Sequence, residues 1–246
     1  GSDLGMEKYM DIVAPISSFS PDLVVCVCSI RALKLHGGVK FDELNISNPN
    51  AVKIGLSNLE HHIRNVKKFG VPCLIAINRF EKDTSEELKV LETFLKDNDI
   101  PYALNSSYLD GPKGATCLAQ EALHLLDEKE NHFAPIVKED MSIQEKISTI
   151  SREIYGCKDV EYTEKALSQI REFEKSGYDH FSVCISKTPN SLSDDPHLLN
   201  DPKNTTLHVR EFRLFTGAKF IVPLSGDVFT MPGLPKIPAS KKMNQL

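Results

Sequence analysis

The chain lacks any apolar run long enough to span a bilayer; its longest are the length of a strand, so no membrane partner is expected. It also lacks the charged-then-apolar opening of a secretory signal. Clustered basic residues are missing as well. The 29 Lys and Arg are scattered among 34 Asp and Glu, a formal charge of −5, which argues against a nucleic-acid partner. Six cysteines (Cys26, Cys28, Cys73, Cys117, Cys157, Cys184) fall short of a disulfide framework and sit mostly inside apolar runs. A reducing, cytoplasmic setting is therefore expected, with a mitochondrial one open if a transit peptide lies upstream. Cys26 and Cys28 share a strand face, but no second Cys/His pair stands at ligand spacing. They read as small buried hydrophobes, and no protein metal site is expected. Internal repeats and low-complexity tracts are absent too. What remains is an ordinary globular composition, 41% apolar and 26% charged, over 246 residues, enough for one large or two smaller domains.

"DLVVCVCS" (22–29) reads as a continuous apolar strand of the kind buried on both faces of a parallel sheet. In "PNAVKIGLSNLEHHIRNVKKFG", Val52, Leu56, Leu59, Ile63 and Val66 recur at gaps of four and three, predicting a helix with Pro49 near its start and Gly70 past its end. The strand "CLIAI" follows, then a capping box, Thr84 with Glu87, opening a helix with Leu88, Leu91 and Leu95. "YALNS" reads as a strand and "ATCLAQEALHLLDEK" as a helix. This alternation predicts an α/β fold, a parallel sheet with helices on both faces. Beyond residue 130 a second capping box, Ser142 with Glu145, starts a helix that stops at Gly156, and another spans roughly 163–176. Strands are expected at "HFSVCIS", "TLHVREFRLF" and "KFIVPL". A boundary within 131–141 divides a first region, 1–130, from a smaller C-terminal α/β region, 131–246.

Ligands in such sheets bind beyond the carboxyl ends of the strands, and three stretches fall there. "SIRALKLHGG" sets Arg31, Lys34 and His36 before a glycine pair, which suits an anionic substrate or phosphate; the alternative is a solvated loop or helix start. "AINRFEKD" ends a strand on Asn78, a donor and acceptor for a heterocycle, and on Phe80, either a stacking face or a core plug. "NSSYLDGPKG" places Tyr108 after the next strand, so Phe80 and Tyr108 could flank one flat ring. Two further stretches stand out. "SKTPNSLSDDP" (186–196) is either a phosphate or metal loop or a capped turn. The stiff turn within "GDVFTMPGLPKIP" (226–238) is either a wall for a ring or packing.

"DLGMEKYMDI", "RALKLHGG", "NLEHHIRNVKKFGVP", "AINRFEKDTSEEL", "KISTISREIYG", "SLSDDP" and "MPGLPKIPA" together resemble formate–tetrahydrofolate ligase, in the family's order and along nearly the whole chain. The resemblance implies joining of formate to tetrahydrofolate with ATP, through formyl phosphate, to give 10-formyltetrahydrofolate. It implies a fold of the P-loop-NTPase kind, here incomplete, because no G-x-x-x-x-G-K-S/T occurs; that loop would supply the phosphate cradle. The chain thus resembles the family's C-terminal portion, and the N-terminal portion is an implied partner. By position, Phe80 and Tyr108 resemble the pair that stacks on the pterin, with Tyr108 standing where the family has tryptophan. Arg31, Lys34 and His36 are implied near the anionic intermediate, and Asn78, Thr230, Pro232, Gly233 and Leu234 near the nucleotide. ATP with Mg²⁺ is the implied co-substrate, tetrahydrofolate and formate the other small molecules; a monovalent cation and a homo-oligomer are left open. The rival reading is a non-catalytic paralogue or fragment that serves as a binding or assembly module.

Overall fold

The computed structural model describes residues 5–226. A helical stretch comes first: α1 (Met6–Lys8), a π turn over Tyr9–Val13, and α2 (Ala14–Ser17). Strand β1 (Val24–Cys28) then leads through α3 (Ile30–His36) and α4 (Pro49–Lys68) to β2 (Cys73–Asn78), and through α5 (Ser85–Asp97) to β3 (Tyr102–Asn105). The three strands lie in the order β1-β2-β3, all parallel, as strand–helix alternation demands. The short α6 (Ser107–Asp110) and α7 (Thr116–Glu128) follow, and α7 returns across β2 and β3.

The predicted stripe of α4 is buried throughout. It shares a core with Cys26, Cys28, Ile75 and Ile77 from the sheet and with Leu91 and Leu95 of α5. Two glycines let α3 and α4 close up: a Cβ on Gly37 would lie 2.1 Å from the Ala51 carbonyl oxygen, and one on Gly55 would lie 2.0 Å from that of Leu33. The first glycine of "HGG", Gly37, thus serves backbone packing, while Gly38 takes a left-handed φ of 89°. Strand β1 departs from expectation. Cys26 and Cys28 are buried, but Val25 is 43% and Val27 65% exposed, so only one face of this strand is covered. An apolar run cannot by itself report whether both of its faces find partners.

The second half opens with α8 (Ile143–Ile150), a π turn over Ser151–Tyr155, β4 (Asp159–Tyr162) and α9 (Glu164–Lys175). Strands β5 (Ser182–Val183), β6 (Thr206–Phe215) and β7 (Phe220–Ser225) complete a mixed sheet of order β4-β6-β7-β5, in which β6 and β7 are antiparallel. The strand expected over "HFSVCIS" is regular for two residues only. Its Cys184 and Ser186 amides still donate to the carbonyls of Ile221 and Pro223, but Pro223 has no N–H to return a bond. A core of Ile143, Ile147, Ile154, Ile170, Phe173, Leu207 and Phe212 fills this half and takes in Met10, Phe69 and Val71 as well.

A second, polar stripe on α4 joins the halves. His61 places Nδ1 2.9 Å from Asp201 Oδ1 and Nε2 2.7 Å from the Ile154 carbonyl, which also accepts from Asn65 Nδ2. Asn200, at φ 67°, accepts from the Asn58 N–H and donates from Nδ2 to the Ile54 carbonyl, bridging residues four apart on the helix. Asp11 Oδ1 accepts from the amides of Ile136 and Val137 at 2.8 and 3.0 Å. Among the described residues no helix is long and apolar enough to cross a membrane.

Candidate functional site at the carboxyl edge of the parallel sheet

The carboxyl ends of β1, β2 and β3 line up because the register pairs Cys28 with Ile77 and Asn78 with Asn105. Each strand therefore delivers its next residues to one edge. From β1, Ser29 caps α3 by accepting from the Ala32 amide, which fixes the first turn and, with it, Arg31. From β2, the chain turns sharply at Phe80: the Phe80 N–H donates to Asp83 Oδ2 at 2.8 Å, and the Asp83 N–H donates to the Phe80 carbonyl at 3.1 Å. Among the described residues Phe80 belongs to neither core and stays half-buried, which favours the stacking alternative over the core plug. The Arg31 guanidinium carbon sits 5.8 Å from the centre of its ring, within cation–π range.

Asp83 is nearly buried, and burial raises its pKa. The Phe80 amide opposes that rise, Glu87 adds to it, and Lys34 and Arg31 work against it. Asn78 and Asn105 close the edge: Asn105 Nδ2 donates to Asn78 Oδ1 at 3.3 Å, and Asn105 Oδ1 accepts from the Ser107 amide. Tyr108 lies in α6, 84% exposed, and among the described residues no ring contact joins it to Phe80.

Two of the three expected cations are used elsewhere. Lys34 is 1% exposed; its Nζ lies 2.8 Å from Glu87 Oε1, which is wholly buried, and donates to the Ile46 carbonyl at 3.1 Å. Its ammonium is therefore paired inside the fold, near enough to Asp83 to act on that carboxyl. Burial works against the Glu87 carboxylate, but Lys34, the Asn48 amide and the Thr84 amide and hydroxyl overcome it, and its pKa falls below the usual value. His36 accepts the Asn200 amide at Nδ1, and burial, helped by His62, lowers its pKa to about 4. At neutral pH it carries no charge for an anion. Arg31 alone of the three faces the edge.

Glu87 was legible as a cap partner but not as the counter-ion of Lys34, and the roles of Asp83 and Asn105 went unread. The aspartate three residues past Phe80 was the available signal, since Asp commonly closes such turns. The loop 186–196 is tied down by its own carbonyls and by neighbouring residues. Lys187 Nζ donates to the carbonyls of Thr188 and Ser191 and lies 4.5 Å from the centre of the Tyr155 ring; Asp194 Oδ2 accepts from the His208 amide and the Ser225 hydroxyl. Thr230, Pro232, Gly233 and Leu234 lie outside the described residues. Among the described residues no group of three or more His, Cys, Asp or Glu could hold a metal ion.

Two concavities lie away from this edge. A cavity of about 350 Å³ sits at the opposite ends of β2 and β3, lined by Val71, Pro72, Cys73 and Pro101. An apolar groove of about 680 Å³ runs between α4 and α5. We favour the carboxyl edge over both, because only there do a cation, an aromatic ring and free strand ends converge.

The model of the formate–tetrahydrofolate ligase family matches residues 1–245. Formate–tetrahydrofolate ligases from Staphylococcus aureus and Bacillus licheniformis are 45% and 43% identical over 244 residues, 99% of this chain. One from Bacillus pumilus is 43% identical over all 246 residues. The chain spans about 44% of the length of these curated relatives. On a match this extensive, the chain belongs to the formate–tetrahydrofolate ligase family.

Proposed function

We propose that this chain is the folate-side portion of an ATP-dependent ligase that joins formate to tetrahydrofolate. In that reaction a formate oxygen attacks the terminal phosphorus of ATP, and ADP leaves. The N10 amine of the folate then attacks the formyl carbon, and phosphate departs to leave 10-formyltetrahydrofolate. Such chemistry depends on positioning and charge stabilisation rather than on a protein nucleophile. Phe80 stacks on the pterin, Tyr108 approaches from the neighbouring strand end, and Arg31 stabilises the anionic intermediate. Mg²⁺ would be carried by the ATP phosphates, and a monovalent cation is compatible with the family. Asn78, Thr230, Pro232, Gly233 and Leu234 take the nucleotide side. The parallel sheet is part of a larger one of the P-loop-NTPase kind, and the six free thiols favour a reducing compartment. The observation that carries this reading is the half-buried Phe80 ring, held by the Asp83 turn outside both cores with Arg31 beside it.

A second reading, a non-catalytic binding module, is favoured by Lys34 and His36 being engaged within the fold. Turnover separates the two. The purified chain alone should make no 10-formyltetrahydrofolate from formate, Mg-ATP and tetrahydrofolate. Co-expressed with the part of the S. aureus ligase that it does not match, it should. An assembled but inactive pair would favour the module.

A further inference from the structure

Strand β1 forms one margin of the parallel sheet, and its exposed side chains and its free backbone groups belong to the same residues. The Val24 N–H donates to the Pro72 carbonyl, so the alternation of a parallel ladder turns Val24, Cys26 and Cys28 toward β2. Val25 and Val27 then direct their N–H and C=O outward, where no described residue pairs with them. Their side chains share a face with Leu74 and Ala76, the residues across the register, which are 0% and 1% exposed. Cover over that face therefore stops between β2 and β1. Parallel strands are ordinarily covered on both faces, and a bare, apolar margin is a pairing hazard that folded proteins blunt with charge or proline. Neither Val25 nor Val27 has such protection. The other margin differs: Tyr102 and Leu104 of β3 pack against the core and leave no large apolar side chain exposed.

We infer that the outer margin of β1 seats a parallel strand, with apolar cover over Val25 and Val27, supplied by the remaining length of the family's chain. The occupant is argued from size: this chain spans about 44% of its relatives, so more than half of each relative is available to cover the margin. Strand addition gives affinity through main-chain hydrogen bonds, and two exposed valines add a face for packing. The inference rests on the reading that the ligase needs that remaining length, but its test reads assembly, not turnover or folate affinity.

The chain should be co-expressed with the unmatched part of the S. aureus ligase, each under its own tag, and the pair followed by hydrogen exchange. Co-purification is expected, with the Val25 and Val27 amides gaining protection while that of Cys26, already bonded to β2, changes little. Val27→Pro removes one outward N–H and leaves the β1–β2 ladder intact; it should weaken assembly about tenfold or more, whereas Val27→Thr should weaken it less than about threefold. Failure to co-purify would overturn the inference. So would a complex in which both amides still exchange freely, or a dimer of this chain alone that protects them.

Discussion

Lys34 and Glu87 offer the sharpest contrast between a catalytic and a structural role. Both side chains are buried, at 1% and 0% exposure, and their charged atoms lie 2.8 Å apart. In Lys34→Met the Glu87 carboxylate keeps the amides of Asn48 and Thr84 but loses its counter-ion. In Glu87→Gln the ammonium is left with the Ile46 carbonyl as its remaining strong partner. Breaking a buried pair by removing one member costs about 3–5 kcal/mol, a large part of the roughly 5–15 kcal/mol that holds a domain together. Lys34→Met should therefore lower the urea midpoint sharply. The double variant should cost about 2 kcal/mol less than the sum of the singles, because it leaves no uncompensated charge. The pH dependence carries a definite sign. The folded pKa of Glu87 lies below the ordinary value of 4.5, so its contribution is complete above that pH and is lost as pH falls through the folded value. Wild-type protein should lose stability below about pH 4.5, and Glu87→Gln should lose less. Single variants costing under about 1 kcal/mol each, with no coupling, would refute the reasoning and return Lys34 to the list of cations free to act on substrate.

Other expectations follow from the same geometry. Burial raises the Asp11 pKa from 3.8 to about 6, so the stability it confers is complete below the lower value and lost as pH rises through the higher. Thermal melts of Asp11→Asn, which keeps the acceptor for Ile136 and Val137, should show a flatter slope across that window. Asn200→Ala removes the amide that bridges Ile54 and Asn58 and should cost about 1–3 kcal/mol by urea titration. Tyr108 is 84% exposed, so Tyr108→Ala should change stability by no more than about 0.5 kcal/mol, while Tyr108→Trp should hold or improve folate affinity by titration.

Much of the fold could be read because it follows local rules. The α4 stripe, both capping boxes and the β6 span emerged as expected, each fixed by periodicity or by side chains three residues apart. Reading faltered where a residue's meaning depends on its neighbours in space. The apolar residues of β1 gave no sign that Val25 and Val27 would stay uncovered. Lys34 and His36 looked like site cations because their sequence context is basic, yet Glu87 lies 53 residues beyond Lys34 and Asn200 lies 164 beyond His36. Asn58, His61 and Asn65 form a buried polar stripe that no hydrophobic periodicity reports. The placing of Arg31 and Phe80 at one edge was legible because parallel strands deliver their carboxyl ends to the same side.

The most direct test of the folate-side reading is isothermal titration of the chain with tetrahydrofolate, alongside thermal melts of wild type and Phe80→Ala. Wild type should bind one equivalent. Phe80→Ala should weaken that binding by roughly 1–3 kcal/mol with little change in melting temperature, because the ring lies outside both cores. Equal affinity in the two proteins, or a large fall in melting temperature with affinity unchanged, would contradict it.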